Sequence, residues 1–466
     1  MRMDRSLLRI FAVVTLVSMV LSACAPGAAT EAPPPSVPTE AAQPAAPTEA
    51  APSAEKIKLV IGWWGEQEAP GMSAWLDESI AMFQETHPNV EIEQVLESTE
   101  NLAPSFQAAA AANEGPDIYT PWPGTWTVED AMVGNYLPLD DYVSKETLDT
   151  LAPTVRPDRS FGGKLYGYPL YMSASVFAYN KELFIQAGLD PDLQIGTWDE
   201  LMAAAAKLKA AGITPFTFGW KDAWISDWFE GWGVKNYDST RDMIPLFTGE
   251  ASANDPKYRD WLDKIAQLQT NGYLNDDVGS LEMSQGVDSL AAGNGAISMV
   301  PDNTLALLQD KMGDNLGAMR SPAFGTGKFA NATGIGSSGG LSIPRWSKDP
   351  KLAGEFIEFL LSEERVNAFF DQVGVIPLSS RFDGSRLEPG SVSEMQYNIL
   401  KGDVTFAPSL FVPVQVNEQG FYIAGQGVAL GTMTPEEGAK LIDEVIVRWR
   451  TENPEKLDQL VEWLSQ

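Results

Sequence analysis

Strand-like and helix-like hydrophobic patterns alternate where the main part of the chain begins. Ile57–Trp63 is a nearly continuous apolar run of strand length, residues 73–86 place apolar side chains at helical spacing, and residues 90–95 alternate apolar residues with glutamates. This order predicts a β-strand, an α-helix and a second β-strand. We therefore expect an α/β fold, and about 410 residues are enough for two lobes of ordinary domain size.

Two later helices have clear starting signals. Thr197 followed three residues later by Glu200 is a capping box, and the helix that it opens is expected to end at Gly212. Another helix is expected from Pro350, with apolar residues facing inward at 356–360. The sequence contains no repeat at the period of a solenoid protein.

The first 24 residues resemble a bacterial lipoprotein signal. Arg2, Arg5 and Arg9 form a basic region, residues 10–20 form a short apolar stretch, and small residues precede Cys24, the only cysteine of the chain. The resemblance implies a signal peptide of residues 1–23 that is cleaved before a lipidated Cys24. The alternative is an ordinary secretory signal or membrane anchor in which this cysteine is incidental.

A tether is expected between the lipid and the folded part. Residues 24–54 consist almost entirely of Ala, Pro, Thr, Glu and Ser, which lack the apolar bulk needed to offset chain entropy. Later residues offer no uninterrupted apolar run of membrane-spanning length. We therefore expect an extracytoplasmic protein that is lipid-anchored to the cell membrane.

Composition restricts the chemistry. With Cys24 in the anchor and His87 the only histidine, Ser-His-Asp triads, Cys-His sites and multi-histidine zinc sites are not expected. The formal net charge of −31 becomes −33 without the predicted signal, which carries +2. This charge disfavours nucleic acid and, because the sequence shows no local cluster of Arg or Lys, a strongly anionic ligand. The sequence predicts no cofactor and no metal site.

Eight segments follow one another in the order and spacing seen in extracellular solute-binding proteins of ABC transporters. They resemble the carbohydrate-binding branch of that family. The segments are GPDIY at 115–119, YGYPL at 166–170, YNKELF at 179–184, AGLD at 187–190, TWDEL at 197–201, AAGNGAISM at 291–299, GGLSIP at 339–344 and TPEE at 434–437.

The resemblance implies a two-lobed periplasmic-binding-protein fold of the class II type, with a hinge between the lobes. Crossings between lobes are then expected near residues 173–177, 297–301 and 341–344, which are strand-like and bounded by Gly or Pro. Lobe 1 would comprise residues 55–172 plus 297–341, and lobe 2 residues 176–296 plus 345–466.

Tryptophans in loops and at strand ends indicate a sugar site. A pyranose ring packs an apolar face on an aromatic plane and bonds its hydroxyls to carboxylates and amides. Trp224 with Trp63 or Trp64 is the sharpest prediction, as stacking platforms on opposite lobes. The full set of predicted ligand-binding residues is Trp63, Trp64, Glu66, Trp122, Ser173, Trp220, Asp222, Trp224, Asp302, Asn303, Gly340, Glu418, Gln419 and Tyr422.

The resulting functional prediction is a lipid-anchored substrate-binding protein of an ABC importer. It would capture a mono- or oligosaccharide between two lobes without chemistry and deliver it to membrane permease subunits with a cytoplasmic ATPase. We expect a monomer that binds no nucleic acid. The alternatives are a lipid-anchored glycoside hydrolase with two carboxylates, and a binding protein that serves a membrane sensor.

Replacing Cys24 tests the anchor. Because an acylated thiol holds the protein at the membrane, Cys24→Ser should release the protein or leave its signal uncleaved. Cell fractionation with N-terminal sequencing measures both outcomes. A correctly cleaved Cys24→Ser protein that stays in the membrane fraction would contradict the prediction.

Overall fold

The computed structural model describes residues 56–66, 69–401 and 404–466. The predicted signal of residues 1–23, Cys24 and the tether of residues 24–54 lie outside these ranges. Of Thr99, Glu100, Ser173 and Ser337 only the backbone is described. Within the described ranges, no helix combines the length and apolar character that a bilayer-crossing segment requires.

Strands and helices alternate along the chain. The strands are β1 Ile57–Trp63, β2 Val90–Leu96, β3 Ile118–Tyr119, β4 Tyr136–Leu137, β5 Ser160–Phe161, β6 Lys164–Leu165, β7 Tyr168–Pro169, β8 Met172–Asn180, β9 Ile297–Pro301, β10 Leu316–Met319, β11 Thr333–Ser337, β12 Gly340–Leu341, β13 Ile343–Pro344 and β14 Val404–Phe406. The helices are α1 Met72–Thr86, α2 Thr99–Ala112, α3 Thr125–Met132, α4 Lys145–Leu148, α5 Lys181–Gln186, α6 Trp198–Ala210, α7 Ser226–Glu230, α8 Ile244–Thr248, α9 Pro256–Thr270, α10 Met283–Ala291, α11 Leu305–Met312, α12 Pro350–Leu360, α13 Glu363–Val373, α14 Val392–Leu400, α15 Val414–Val416, α16 Tyr422–Ala429, α17 Pro435–Glu452 and α18 Pro454–Leu464.

The predicted opening unit is confirmed. Strand β1 pairs in parallel with both β2 and β3, which gives a three-stranded sheet in the order β2-β1-β3. Helix α1 connects β1 to β2 and buries Trp75, Leu76, Ile80 and Phe83, which lie three or four residues apart and so share one face. Parallel pairing requires such a crossover, so the local pattern of the sequence dictates this part of the topology.

Helix α6 also forms as the sequence predicts. The Thr197 side chain accepts from the Glu200 backbone N–H, and the Glu200 carboxylate accepts from the Thr197 N–H at 3.0 Å, which completes the capping box. The chain leaves the helix through Gly212, whose φ of 78° is the left-handed conformation that glycine adopts without strain.

A second sheet is built around the nine-residue strand β8. β9, β10 and β11 all pair with β8, and β14 extends the sheet beyond β11. The expected crossing segments 173–177 and 297–301 fall in β8 and β9, which lie side by side and antiparallel. The third segment, 341–344, falls in β12 and β13, which pair with β7 and β4.

The side chains of β8 alternate between two hydrophobic cores. Ala174, Val176 and Ala178 pack in a first core, whereas Phe177 and Tyr179 pack in a second core. Successive side chains of a strand lie on opposite faces of a sheet, so this sheet separates the two cores. The first core is formed with β1, α1, β2 and α10–α14, and the second with α5–α9 and α15–α18.

The core contacts differ from the predicted lobe boundaries at α10, whose Val287 and Leu290 pack in the first core, and most extensively in the C-terminal part of the chain. The predicted second lobe includes residues 345–466, but α12 and α13 pack on α1 in the first core. The ring of Phe356 lies 5.1 Å from that of Phe83, and the ring of Phe369 lies 5.1 Å from that of Trp75. The apolar face of α12 can be buried against either core, and its sequence does not encode which. We therefore propose a first lobe that also contains residues 350–400.

Replacing Phe356 tests this assignment. Phe356 is fully buried, and Phe→Ala in a core lowers the free energy of unfolding by about 3–5 kcal/mol. In Phe356→Ala, hydrogen exchange should accelerate in α1 and β1 more than in α9 and α17, with Ile185→Ala, at a 60% exposed position, as the control. Faster exchange confined to α9 and α17 would contradict the assignment.

Candidate functional site

A cavity of about 130 Å³ lies on the second-core face of the β8 sheet. Its lining comes from β8, β11, α7, the 3-10 helix Gly231–Asn236 that continues α7, and three connecting segments. The lining residues are Pro123, Ser175, Asp227, Trp228, Gly231, Trp232, Lys235, Ser321, Gly334, Gly336, Ala407, Ser409 and Leu410. These positions are spread over nearly 300 residues of sequence and meet only in the folded chain.

One continuous helical face supplies most of the functional groups of the cavity. Along α7 and the 3-10 helix, Asp227, Gly231 and Lys235 lie four residues apart. Trp228 and Trp232 are also four residues apart and lie beside them. Residues at these spacings lie on the same side of a helix. The local sequence therefore places a carboxylate, two indole rings and an amine along a single wall.

The opposite wall brings the loop before α3 close to the loop after β14. The Thr125 hydroxyl donates to the Val412 carbonyl at 2.7 Å. Gly124 has a φ of 66°, and a Cβ at this position would lie 2.0 Å from the Leu410 carbonyl oxygen. Only glycine permits this approach, which holds Pro123 and Leu410 together at the cavity.

Two buried polar atoms at the cavity have no hydrogen-bond partner among the described residues. Trp232 is 3% exposed and Ser321 is 9% exposed. Among the residues that the structure describes, neither Trp232 Nε1 nor Ser321 Oγ has a hydrogen-bond partner. Leaving a buried donor unpaired costs about 1–3 kcal/mol, so these atoms indicate a place where a bound molecule supplies hydrogen bonds.

Burial raises the pKa of both acids of this region. Desolvation raises the pKa of Asp227 to about 6, against a smaller opposing contribution from Ser409. Desolvation and the neighbouring Asp227 raise the pKa of Glu230 well above its usual range. A carboxyl group with a pKa of about 6 is still mostly ionised at pH 7, so Asp227 lines the cavity as a hydrogen-bond acceptor that keeps most of its charge.

One basic residue, Lys235, lines the same cavity. Burial, aided by the charge of Arg320, lowers the pKa of Lys235 to about 7, and the ammonium donates to the Ala332 carbonyl. The sequence shows no basic cluster because Lys235 and Arg320 are far apart along the chain. The folded structure brings Arg320 within electrostatic range of Lys235, and Asp227 lines the same cavity as Lys235.

None of the 14 predicted ligand-binding residues lines this cavity. The structure places several of them inside the fold for structural reasons. Trp63 is 2% exposed, with its Nε1 donating to Gln94 at 2.8 Å. Trp64 is 7% exposed and donates to the Thr120 carbonyl at 2.9 Å. In this arrangement neither ring has a free face for stacking. Both are core residues, which differs from their prediction as stacking platforms.

Trp220 is likewise a core residue, fully buried with its Nε1 donating to the Ser226 hydroxyl at 3.0 Å. The Glu66 carboxylate accepts from the backbone N–H of Gly71 at 3.0 Å and of Ser73 at 2.7 Å, which caps the start of α1. These contacts account for both side chains without a ligand.

Asp302 and Asn303 are buried directly after β9. The Asp302 carboxylate accepts from the Ala174 N–H at 2.7 Å and from the Gln396 amide at 2.6 Å. Burial raises the pKa of Asp302 to about 6. This carboxylate joins β8 to α14 and is a structural tie between elements.

Three further predicted residues surround the Pro123 loop or the β8 sheet. The ring of Trp122 is packed edge-on between those of Trp64 and Trp126, at 5.7 and 5.0 Å. Gly340 is buried and its N–H donates to the Pro121 carbonyl at 3.2 Å. The backbone of Ser173 pairs with Gly336 in the sheet that carries the cavity.

The remaining predicted residues lie in the segment just before α7 and in the segment that leads into α16. Trp224 is 37% exposed, with its ring 5.7 Å from that of Trp228. Asp222 begins the 3-10 helix Ala223–Ile225 that carries Trp224. Desolvation raises the pKa of Tyr422 well above its usual range, with further increases from Asp227, Glu230 and Glu418. Gln419 is exposed and accepts from Arg448 at 2.6 Å.

The candidate cavity is lined by members of the tryptophan-rich segment other than the predicted Trp220 and Trp224. Trp228 and Trp232 share the helical spacing of Asp227 and Lys235, and that spacing was the available signal. Ser175, Ser321 and Ser409 carry no comparable signal, because each is brought to the cavity by sheet pairing or loop packing.

Known proteins match this chain over most of its length. The family described as bacterial extracellular solute-binding protein matches residues 65–366. An uncharacterized ABC transporter extracellular-binding protein of Pyrococcus horikoshii is 26% identical over 331 residues, which is 68% of this chain and 70% of the relative. The sn-glycerol-3-phosphate-binding periplasmic protein of Shigella flexneri is 25% identical over 221 residues, 47% of this chain and 50% of that protein. The solved structure of a chitin oligosaccharide binding protein gives a TM-score of 0.74 at 23% identity, covering 84% of this chain and 98% of that one.

Lys235 should make stability depend on pH above neutrality. Its pKa is about 7 in the folded protein against an ordinary value of 10.5, so between these values the unfolded chain binds more protons. The free energy of unfolding therefore rises with pH in this window. Lys235→Met should flatten the rise in ligand-free melting temperature between about pH 7 and pH 10. Lys440→Met, at a 77% exposed side chain, is the control, and an unchanged slope in Lys235→Met would contradict the prediction.

Proposed function

Because this chain belongs to the family of bacterial extracellular solute-binding proteins, we propose that it captures a neutral sugar in the cavity beside α7 for an ABC importer. The family is a non-enzymatic component of transport. The structural likeness confirms the expected α/β periplasmic-binding-protein fold. A glycoside hydrolase is therefore not retained as an alternative.

The observation that carries the proposal is the pair of unpartnered polar atoms beside an indole face. Trp232 Nε1 can donate to a hydroxyl oxygen, and Ser321 Oγ can donate or accept. Trp228 contributes an apolar aromatic surface to the same cavity. A sugar ring offers hydroxyls at its edge and C–H groups on its face, so one ring matches both kinds of group.

The charges of the cavity favour a neutral solute over an anionic one. Lys235 lines the cavity and could meet a phosphate, as required of a relative that binds sn-glycerol 3-phosphate. Asp227 lines the same cavity, and Glu230 lies close enough to Asp227 to interact with it electrostatically. An added anion would face these carboxyl groups, whereas a neutral hydroxylated ligand can bond to acids and bases alike.

Ligand capture would involve closure of two lobes about β8 and β9. In this proposal the first lobe carries Pro123, the second carries the α7 face, and closure adds the contacts of Thr125 and Gly124 with residues 410–412. The closed monomer would deliver its solute to membrane permease subunits with a cytoplasmic ATPase. A lipid on Cys24 would keep it at the membrane. A binding protein that serves a membrane sensor instead of an importer would use the same capture step.

Titration calorimetry with a solute panel tests the proposal. Neutral mono- and oligosaccharides, polyols, sn-glycerol 3-phosphate and amino acids are titrated into the wild-type protein. Ser321→Ala should weaken binding of the sugar that binds best by about 2- to 10-fold, the value of one hydrogen bond. Ser385 is an exposed serine near the first core, outside the cavity, so Ser385→Ala should leave the affinity unchanged. Binding of sn-glycerol 3-phosphate with no response to any neutral sugar would contradict the assignment.

A further inference from the structure

Lys235 is a buried amine without an acidic partner. The residue is 1% exposed and lines the cavity from the 3-10 helix that continues α7. Its nitrogen donates to the Ala332 carbonyl, and among the described residues it forms no salt bridge with a carboxylate. Lysines are rarely buried to this extent unless an acid is paired with them. Burial against a neutral carbonyl therefore favours the uncharged amine over the ammonium.

The groups around this amine have the same effect. Arg320 acts on Lys235 with a charge of the same sign, and together with burial it lowers the pKa of the amine to about 7. The Phe324 ring, 5.8 Å from Nζ, is near the ~6 Å limit of a cation–π contact and favours the ammonium only weakly. Desolvation and a neighbouring cation are the conditions under which a lysine becomes a nucleophile at neutral pH.

The cavity has room for a small reactant. An uncharged amine keeps N–H groups for the Ala332 carbonyl and also has a lone pair, which the ammonium lacks. The cavity volume is about 130 Å³, and one water molecule requires about 10–15 Å³ of such volume. The space therefore admits a molecule of up to about ten non-hydrogen atoms next to Lys235.

Other groups of the cavity suit a hydroxylated aldehyde. Ser321 Oγ and Trp232 Nε1 are buried and have no partner among the described residues, so they can bond to a ligand hydroxyl. Asp227 lies on the same helical face as Lys235, and its pKa of about 6 suits a group that gives and takes a proton near neutrality. A nucleophile, a proton donor and two hydrogen-bonding atoms therefore line one small space.

The geometry points to Lys235 as a reactive site that forms an imine with a small hydroxyaldehyde bound in the cavity. The amine lone pair attacks the aldehyde carbon, and one amine proton moves to the carbonyl oxygen to give a carbinolamine. The carbinolamine hydroxyl takes a proton from Asp227 and leaves as water, while the nitrogen lone pair forms the C=N bond. The nitrogen then returns its remaining proton to Asp227. One amine and one aldehyde thus give one imine and one water, and the step requires no other reactant.

Reductive trapping with glycolaldehyde tests this inference. The protein is treated at pH 7 with limiting glycolaldehyde and sodium cyanoborohydride, which reduces an imine to a stable amine, and labelled lysines are identified by peptide mapping. Roughly half of an amine with a pKa of about 7 is uncharged at this pH, against fewer than about 1 in 1,000 for a lysine in water. Lys235 should therefore be labelled at least about 10-fold faster than exposed lysines.

Two exposed lysines are the comparison. The Lys221 side chain is 53% exposed, and its hydrogen bond to Glu282 raises its pKa. The Lys440 side chain is 77% exposed. Both are more accessible than Lys235, so faster labelling of Lys235 cannot result from access. In denaturing urea the advantage of Lys235 should disappear, because it depends on the folded cavity.

A variant tests the proton donor. Asp227→Asn should slow labelling of Lys235 by at least about 10-fold, as expected for loss of a general acid, and leave labelling of Lys440 unchanged. Labelling of Lys221 or Lys440 as fast as that of Lys235 in the folded wild-type protein would overturn the inference, and that comparison does not depend on the folding of a variant. An unchanged rate in Asp227→Asn would overturn the role of Asp227. No sugar is used, so either failure leaves the proposed sugar capture standing.

Discussion

The alternation of side chains along β8 is the constraint on which the rest of the structure depends. Val176 belongs to one hydrophobic core and Phe177 to the other, so the two cores cannot separate without exposing one face of this strand. Ser175 lies in the same alternation, on the face of Phe177, and there it lines the cavity. The functional site is therefore placed by the same period of two that builds the sheet.

Glycine on the neighbouring strand makes the cavity possible. Gly334 and Gly336 of β11 line it beside Ser175, and a Cβ on Gly336 would lie 2.8 Å from the Leu410 side chain. Side chains at these positions would fill the space that the helical wall leaves open. The sheet thus provides a smooth floor, while α7 and its continuation supply the indoles and titratable groups.

Local patterns in the sequence predict local structure well and long-range placement poorly. The strand Ile57–Trp63 and the Thr197 capping box depend on residues within a few positions of one another, and both form as expected. The assignment of α12 to a core depends on which surface buries Phe356, and the position of Ser321 depends on loop packing. The sequence predicts a platform at Trp63 because a strand end is a common place for ligands, whereas in the structure its indole N–H donates to Gln94 within the fold.

The most direct test of the account is a crystal structure of the protein with the neutral sugar that binds best. We expect the sugar in the cavity beside α7, with hydroxyls within hydrogen-bond distance of Trp232 Nε1 and Ser321 Oγ, the two buried atoms that have no partner among the described residues. A sugar bound elsewhere, with neither atom in contact with it, would contradict the central claim.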